Sequence, residues 1–70
     1  MRMVEFELTQ EYIELIKLLK LLNLCESGSE AKMVVEEGLV KFNGVTEYQK
    51  RKKLRKNDLI HFQGTEIKIL

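Results

Sequence analysis

The chain has 70 residues, a length that allows one small domain with a thin hydrophobic core. Its 44% hydrophobic and 33% charged residues are typical of a folded soluble domain, and no segment approaches the roughly 20 consecutive apolar residues of a membrane span. The first eight residues lack a signal-peptide pattern, and the single Cys25 and single His61 can form neither a disulfide nor a zinc site, so we expect a cytoplasmic protein.

The net charge of +1 conceals a division between the two halves of the chain. Residues 1–38 carry four cations and eight anions, a net charge of −4, whereas residues 39–70 carry eight cations and three anions, a net charge of +5. Such asymmetry predicts a polyanion partner for the second half.

The first half predicts one strand followed by a helix. Residues 4–8 alternate apolar and polar side chains, which is typical of a half-buried strand, and we expect this strand to pair with the C-terminal strand. Thr9 is a candidate N-cap for a helix over residues 10–23. The predicted apolar stripe of this helix consists of Tyr12, Leu15, Ile16, Leu19 and Leu22.

A second, shorter helix is predicted over residues 28–37. Ser27 and Glu30 have the spacing of a capping box, in which the serine caps the helix and the glutamate reaches back to the first turn. Ala31 and Val35 are expected to face the first helix. Gly38 suits the left-handed residue that ends a helix.

The second half predicts a meander of short strands. The strand patterns cover residues 39–42, 45–48, 59–62 and 66–69. Asn43-Gly44 is a strong hairpin-turn signal between the first two. The predicted fold class is therefore α+β, with two helices packed on a small, mostly antiparallel sheet of four to five short strands, and residues 1–70 form a single domain.

The stretch from Lys50 to Lys56 places six cations in seven positions, interrupted only by Leu54, and we call it the basic segment. Lysine and arginine attract phosphates, and the release of counterions contributes much of the binding free energy. A solvated loop is the alternative interpretation. Tyr48, just before the segment, either stacks on a base or packs across strands. The predicted RNA-binding residues are Lys32, Lys41, Asn43, Lys50, Arg51, Lys52, Lys53, Arg55 and Lys56.

Catalysis has little support in the sequence. The glutamates are expected on the solvent faces of helices rather than as a pair in a pocket, and neither a glycine-rich phosphate loop nor a metal-ligand spacing occurs. We therefore expect no enzyme activity, no catalytic residue, no metal, no cofactor and no small-molecule substrate.

Three segments together resemble the S4 RNA-binding domain: Ser27–Lys32, Glu37–Gly44 and Lys53–Ile60. They contain a capped helix, a glycine, a short strand, Asn-Gly, and an aspartate before a later strand. The resemblance covers nearly the whole chain and is strongest to small stand-alone bacterial proteins of the YaaA/YbcJ type. Many S4 domains carry arginines early in the first helix, where this chain has Gln10, Glu11 and Glu14.

The resemblance implies that the chain binds structured RNA, with ribosomal RNA or a ribosome precursor as its ligand, through the two helices and following turn called the αL motif. We expect the chain to be a monomer. Two alternatives remain open at the level of the sequence. One is a protein-interaction adaptor that docks through the acidic helical half, where Leu21 and Leu24 fall off the main apolar stripe. The other is nonspecific DNA binding.

Overall fold

The computed structural model describes residues 2–70, which form two helices and seven short strands. The helices are α1 (Leu15–Leu21) and α2 (Gly28–Glu36). The strands are β1 (Arg2–Phe6), β2 (Ile13–Glu14), β3 (Val40–Phe42), β4 (Val45–Thr46), β5 (Lys53–Leu54), β6 (Leu59–Phe62) and β7 (Thr65–Ile69). None of the helices in these residues is long and apolar enough to cross a membrane.

Five strands form one sheet in the order β1-β7-β6-β3-β4. All neighbours are antiparallel except β1 and β7, which are parallel, with Val4 opposite Ile67. The prediction that the first strand pairs with the C-terminal strand in a mostly antiparallel sheet is therefore confirmed. Strands β2 and β5 form a separate antiparallel pair, in which Ile13 lies opposite Leu54.

Two hairpins have turns with both central residues in the left-handed region. Asn43 and Gly44 have φ of 50° and 88°, and Gln63 and Gly64 have φ of 49° and 74°. Turns of this kind match the right-handed twist of paired strands. The predicted hairpin turn at Asn43-Gly44 is therefore confirmed. Gln63 adopts the same backbone without the local preference that asparagine has for it.

The core lies between the two helices and the inner face of the five-stranded sheet. Ala31 and Val35 of α2 are fully buried in the same cluster as Leu15 and Leu19 of α1, as predicted. Alternation along β6 and β7 places Ile60, Phe62, Ile67 and Ile69 in this cluster and leaves the intervening side chains on the outer face.

The prediction of a helix over residues 10–23 capped by Thr9 is wrong for residues 10–14, which are not helical. Helix α1 begins only at Leu15, and its N-cap, Glu14, makes no side-chain capping bond. Residues 13 and 14 instead pair with β5, and the first N–H groups of the helix find carbonyl partners in the basic segment. Tertiary hydrogen bonds thus replace the predicted first turns.

Helix α2 follows the prediction closely. The Ser27 hydroxyl accepts a hydrogen bond from the Glu30 N–H at 3.2 Å. The Glu30 carboxylate reaches back to the N–H of Glu26, at 2.9 Å, rather than to that of Ser27 as a capping box would require. Gly38 follows the helix with φ of 76°, the left-handed conformation expected after its end.

Candidate nucleic-acid interface

The N-terminus of α1 fixes the main chain of the basic segment. The N–H of Leu15 donates to the carbonyl oxygen of Lys52 at 2.9 Å, and the N–H of Ile16 donates to that of Lys50 at 3.1 Å. Leu54, with no exposed surface, anchors the segment in the core. These bonds satisfy helix donors that no side chain caps, so the segment is an ordered part of the fold.

Two lysines of the segment lie over aromatic rings. The Lys52 ammonium is 5.0 Å from the centroid of Phe42, and the Lys53 ammonium is 4.8 Å from that of Tyr12. Both distances are within the range of cation–π attraction. The two contacts hold the side chains close to the protein surface, where Lys53 is exposed and Lys52 is partly buried.

Helix α2 contributes an acidic partner to the segment. The Lys50 ammonium lies 3.0 Å from the Glu36 carboxylate, the only ion pair within residues 2–70, and both side chains are about half exposed. Lys32, also exposed, precedes Glu36 by one helical turn and therefore lies on the same face of α2. Helix α2 thus brings Lys32 to the same side of the molecule as Lys50.

A tight turn presents the end of the segment. The Asp58 carboxylate accepts a hydrogen bond from the N–H of Arg55 at 2.8 Å, and the Asp58 N–H donates to the Arg55 carbonyl oxygen at 3.1 Å. The N–H of Asn57 donates to the carbonyl oxygen of Ile69, which ties the turn to β7. Arg55 and Lys56 are both exposed on this turn.

Asn43 has an internal role. Its amide oxygen accepts from the N–H of Leu59 at 2.8 Å, and its amide nitrogen donates to the Asp58 carboxylate at 3.3 Å. The β3–β4 hairpin is thereby linked to the Arg55–Asp58 turn. Because the oxygen and the nitrogen of the Asn43 amide each have a hydrogen-bond partner within the protein, the side chain serves to hold the Arg55–Asp58 turn in place.

Lys41 lies apart from the other predicted residues. It alternates with Val40, which is in the core, and Phe42, which packs against the core, and so projects from the outer face of the sheet, opposite His61. The structure therefore brings Lys32 and the basic segment to the helical side of the molecule and places Lys41 on the opposite face of the sheet.

The sequence predicts an Asn57-Asp58 turn after the basic segment, but it does not predict three features of this surface: the β2–β5 pair, the Glu36–Lys50 ion pair and the hydrogen bonds by which Asp58 closes the turn. The last has a recognisable local pattern, because aspartate in a short polar turn commonly accepts from the backbone. The first two depend on long-range contacts that no local pattern in the sequence indicates.

No cluster of three or more side chains that could hold a metal ion is present within residues 2–70. Cys25 is buried, and burial first, then the Glu30 carboxylate, raises the pKa of its thiol, which opposes formation of a nucleophilic thiolate. An open cleft of about 470 Å³ lies between the 8–14 stretch and Leu21, and it borders the basic segment through Tyr12, whose ring lies beneath the Lys53 ammonium.

Comparisons with known proteins agree with this architecture. The S4 domain family model matches residues 6–70. YbcJ of Escherichia coli (strain K12) and YbcJ of Shigella flexneri are each 37% identical to the chain over 59 residues. These residues cover 84% of this chain and 84% of each relative.

The solution structure of E. coli YbcJ, described as revealing an αL motif involved in RNA binding, superposes with a TM-score of 0.75 at 35% identity. The alignment covers 100% of this chain and 90% of that one. The chain shares with that structure two helices packed on a mixed sheet, and its second helix is capped as the sequence predicts. The S4 domain family model matches almost the whole chain. The chain belongs to the S4 domain family.

Proposed function

We propose that this chain binds structured RNA through the basic segment and the adjoining face of α2, without catalysing a reaction. The ligand is ribosomal RNA or a ribosome precursor, and the chain acts as a cytoplasmic monomer, a single module over residues 1–70. Membership of the S4 family and similarity to E. coli YbcJ, whose αL motif is involved in RNA binding, support the RNA ligand.

One observation carries the proposal: the basic segment combines a fixed main chain with cations that have no counterion. Within residues 2–70, Arg51, Arg55 and Lys56 are exposed and have neither an ion-pair partner nor an aromatic ring beneath them. A solvated loop would not require the helix and core anchors described above. Cations carried on a fixed main chain lose less backbone entropy when they meet phosphates.

The test removes these three cations. We expect Arg51→Gln, Arg55→Gln and Lys56→Gln together to lower affinity for a folded ribosomal RNA fragment about 10- to 100-fold at low salt, because each lost phosphate contact removes counterion release. Filter binding measures the affinity. Thermal melts should change little, because exposed charges contribute little to folding.

A matched control removes the same charge elsewhere. Arg2→Gln, Lys17→Gln and Lys20→Gln replace three exposed cations outside the basic segment. A uniform charge effect would weaken RNA binding equally in both triple variants and would contradict the proposed surface. Duplex DNA of the same length serves as competitor, since nonspecific DNA binding predicts no preference for folded RNA.

A second candidate function, a protein-interaction adaptor, is favoured by the open cleft. Tyr12, Leu21 and the acidic Glu11 and Glu14 are among the residues that line it, and the leucine is 55% exposed. Such a lining suits a basic peptide with an apolar side chain. In this case the double variant Glu11→Gln and Glu14→Gln should not capture the partner. The variant with Arg51→Gln, Arg55→Gln and Lys56→Gln, called the three-cation variant, should still capture it.

A further inference from the structure

Tyr48 differs from the other aromatic residues of the chain. Of five aromatic side chains, Phe62 is in the core, Phe6 and Phe42 pack against it, and Tyr12 is partly buried beneath a lysine ammonium. Tyr48 is 64% exposed, and no cation lies over its ring within residues 2–70. It is therefore the aromatic side chain with a ring face available to a ligand.

The ring of Tyr48 rests on the backbone at the end of α2. A Cβ atom placed on Gly38 would lie 3.1 Å from both Cε1 and the hydroxyl oxygen of Tyr48, so one edge of the ring occupies the space that a side chain would fill. The neighbouring Glu47 N–H donates to the carbonyl oxygen of Val40 at 2.9 Å. The position of the ring is thus defined although most of its surface is open.

Tyr48 lies just before the start of the basic segment. Lys50 follows two residues later and reaches Glu36 on α2, and the Gln49 carbonyl oxygen accepts from the N–H of Lys52 at 3.2 Å. A ligand that places its phosphates along the basic segment would therefore bring neighbouring bases to the tyrosine. Aromatic rings in this setting commonly stack on bases that are unpaired, whereas paired bases stay within their own helix.

We propose that Tyr48 stacks on an unpaired base, so that the RNA this chain selects is a helix interrupted by a bulge or loop. The inference rests on the proposed function and adds to it a class of RNA structure. The basic segment holds the flanking phosphates, and the tyrosine supplies the preference for an interrupted helix over a continuous one.

The experiment compares two RNA hairpins that are identical except for a single bulged adenosine. The parent protein should bind the bulged hairpin more tightly. In Tyr48→Leu this preference should fall by about 5- to 100-fold, the range that the loss of one stacked base produces. Tyr48→Phe, which keeps the ring, should retain the preference. Thermal melts establish that each variant is folded.

A second measurement uses only the parent protein. With 2-aminopurine at the bulge, stacking on the tyrosine should change the fluorescence of the base on binding. Equal affinity of the parent for the two hairpins, or a preference unchanged in Tyr48→Leu, would overturn the stacking role while leaving RNA binding intact. Failure of both hairpins and the ribosomal RNA fragment to bind would instead refute the proposed function itself.

Discussion

Asn43 combines a left-handed backbone with two side-chain hydrogen bonds, and its replacement separates these contributions. Asn43→Ala loses both bonds and strains the turn, so we expect a loss of about 2–3 kcal/mol in the free energy of unfolding. Asn43→Gly loses the bonds but accepts the backbone conformation, so its loss should be smaller. Urea denaturation measures both, and an equal or larger loss in the glycine variant would contradict the assignment.

Cys25 should be nearly inert in the folded protein. Its side chain is 2% exposed, and burial and the Glu30 carboxylate raise the pKa of the thiol above its usual value, so little thiolate forms near neutral pH. We expect slow reaction with iodoacetamide in buffer and rapid reaction in urea, followed by mass spectrometry. The native rate should increase only at a pH above the usual thiol pKa, and rapid native labelling at pH 7 would show that this site opens easily.

At the scale of elements, the junction between α2 and β3 depends on glycine. Both Gly38→Ala and Gly44→Ala place a side chain at positive φ, which should cost each variant about 1–2 kcal/mol of stability. Only at Gly38 would the new methyl group meet the Tyr48 ring, which has solvent on its far side and can move away.

We therefore expect only Gly38→Ala to weaken the preference for bulged RNA, with similar losses of stability in both glycine variants. Urea denaturation and binding to the paired hairpins provide the measurements. A Gly38→Ala variant that keeps its full preference would show that the tyrosine ring tolerates displacement.

The C-terminal turn of α2 offers a test of how charge is balanced at the interface. Glu36→Gln releases Lys50 from its ion pair, whereas the adjacent Glu37→Gln removes the same charge without a partner in residues 2–70. We expect RNA affinity to rise about two- to threefold more in Glu36→Gln, with little change in melting temperature, because exposed ion pairs contribute little stability. Equal affinities would mean that Lys50 is not in contact with RNA.

The elements that local sequence defines were predictable, and those that depend on distant partners were not. Ser27 caps the helix by accepting from the N–H three residues away, and Gly38 and Asn43-Gly44 set the backbone at their own positions, so the second helix and the first hairpin were placed correctly. The start of α1 was placed too early, because residues 13 and 14 have the apolar spacing of a helix yet pair with β5. The cationic character of the candidate surface was evident in the sequence, whereas the separation of Lys41 by a sheet was not.

For the molecule as a whole, salt distinguishes charge from stacking. With about four to six phosphates contacted, the slope of log affinity against log salt should be about −3 to −5. The three-cation variant should lose about two to three units of slope, whereas Tyr48→Leu should lose affinity with its slope unchanged. Titrations at several potassium chloride concentrations give these slopes. A change of slope in Tyr48→Leu would mean that the tyrosine acts by positioning the cations.

The parallel pairing of β1 with β7 also constrains the order in which the protein assembles. Arg2–Phe6 lie beside Thr65–Ile69, so β1 leaves the ribosome before β7 and has to wait for β7 before it gains its hydrogen bonds. The hairpin of β3 and β4 and the contact between the helices join nearer neighbours in sequence and can form earlier. During synthesis β1 therefore remains an unpaired edge, and Glu5 within it and Glu7 just after it reduce its tendency to aggregate until β7 arrives.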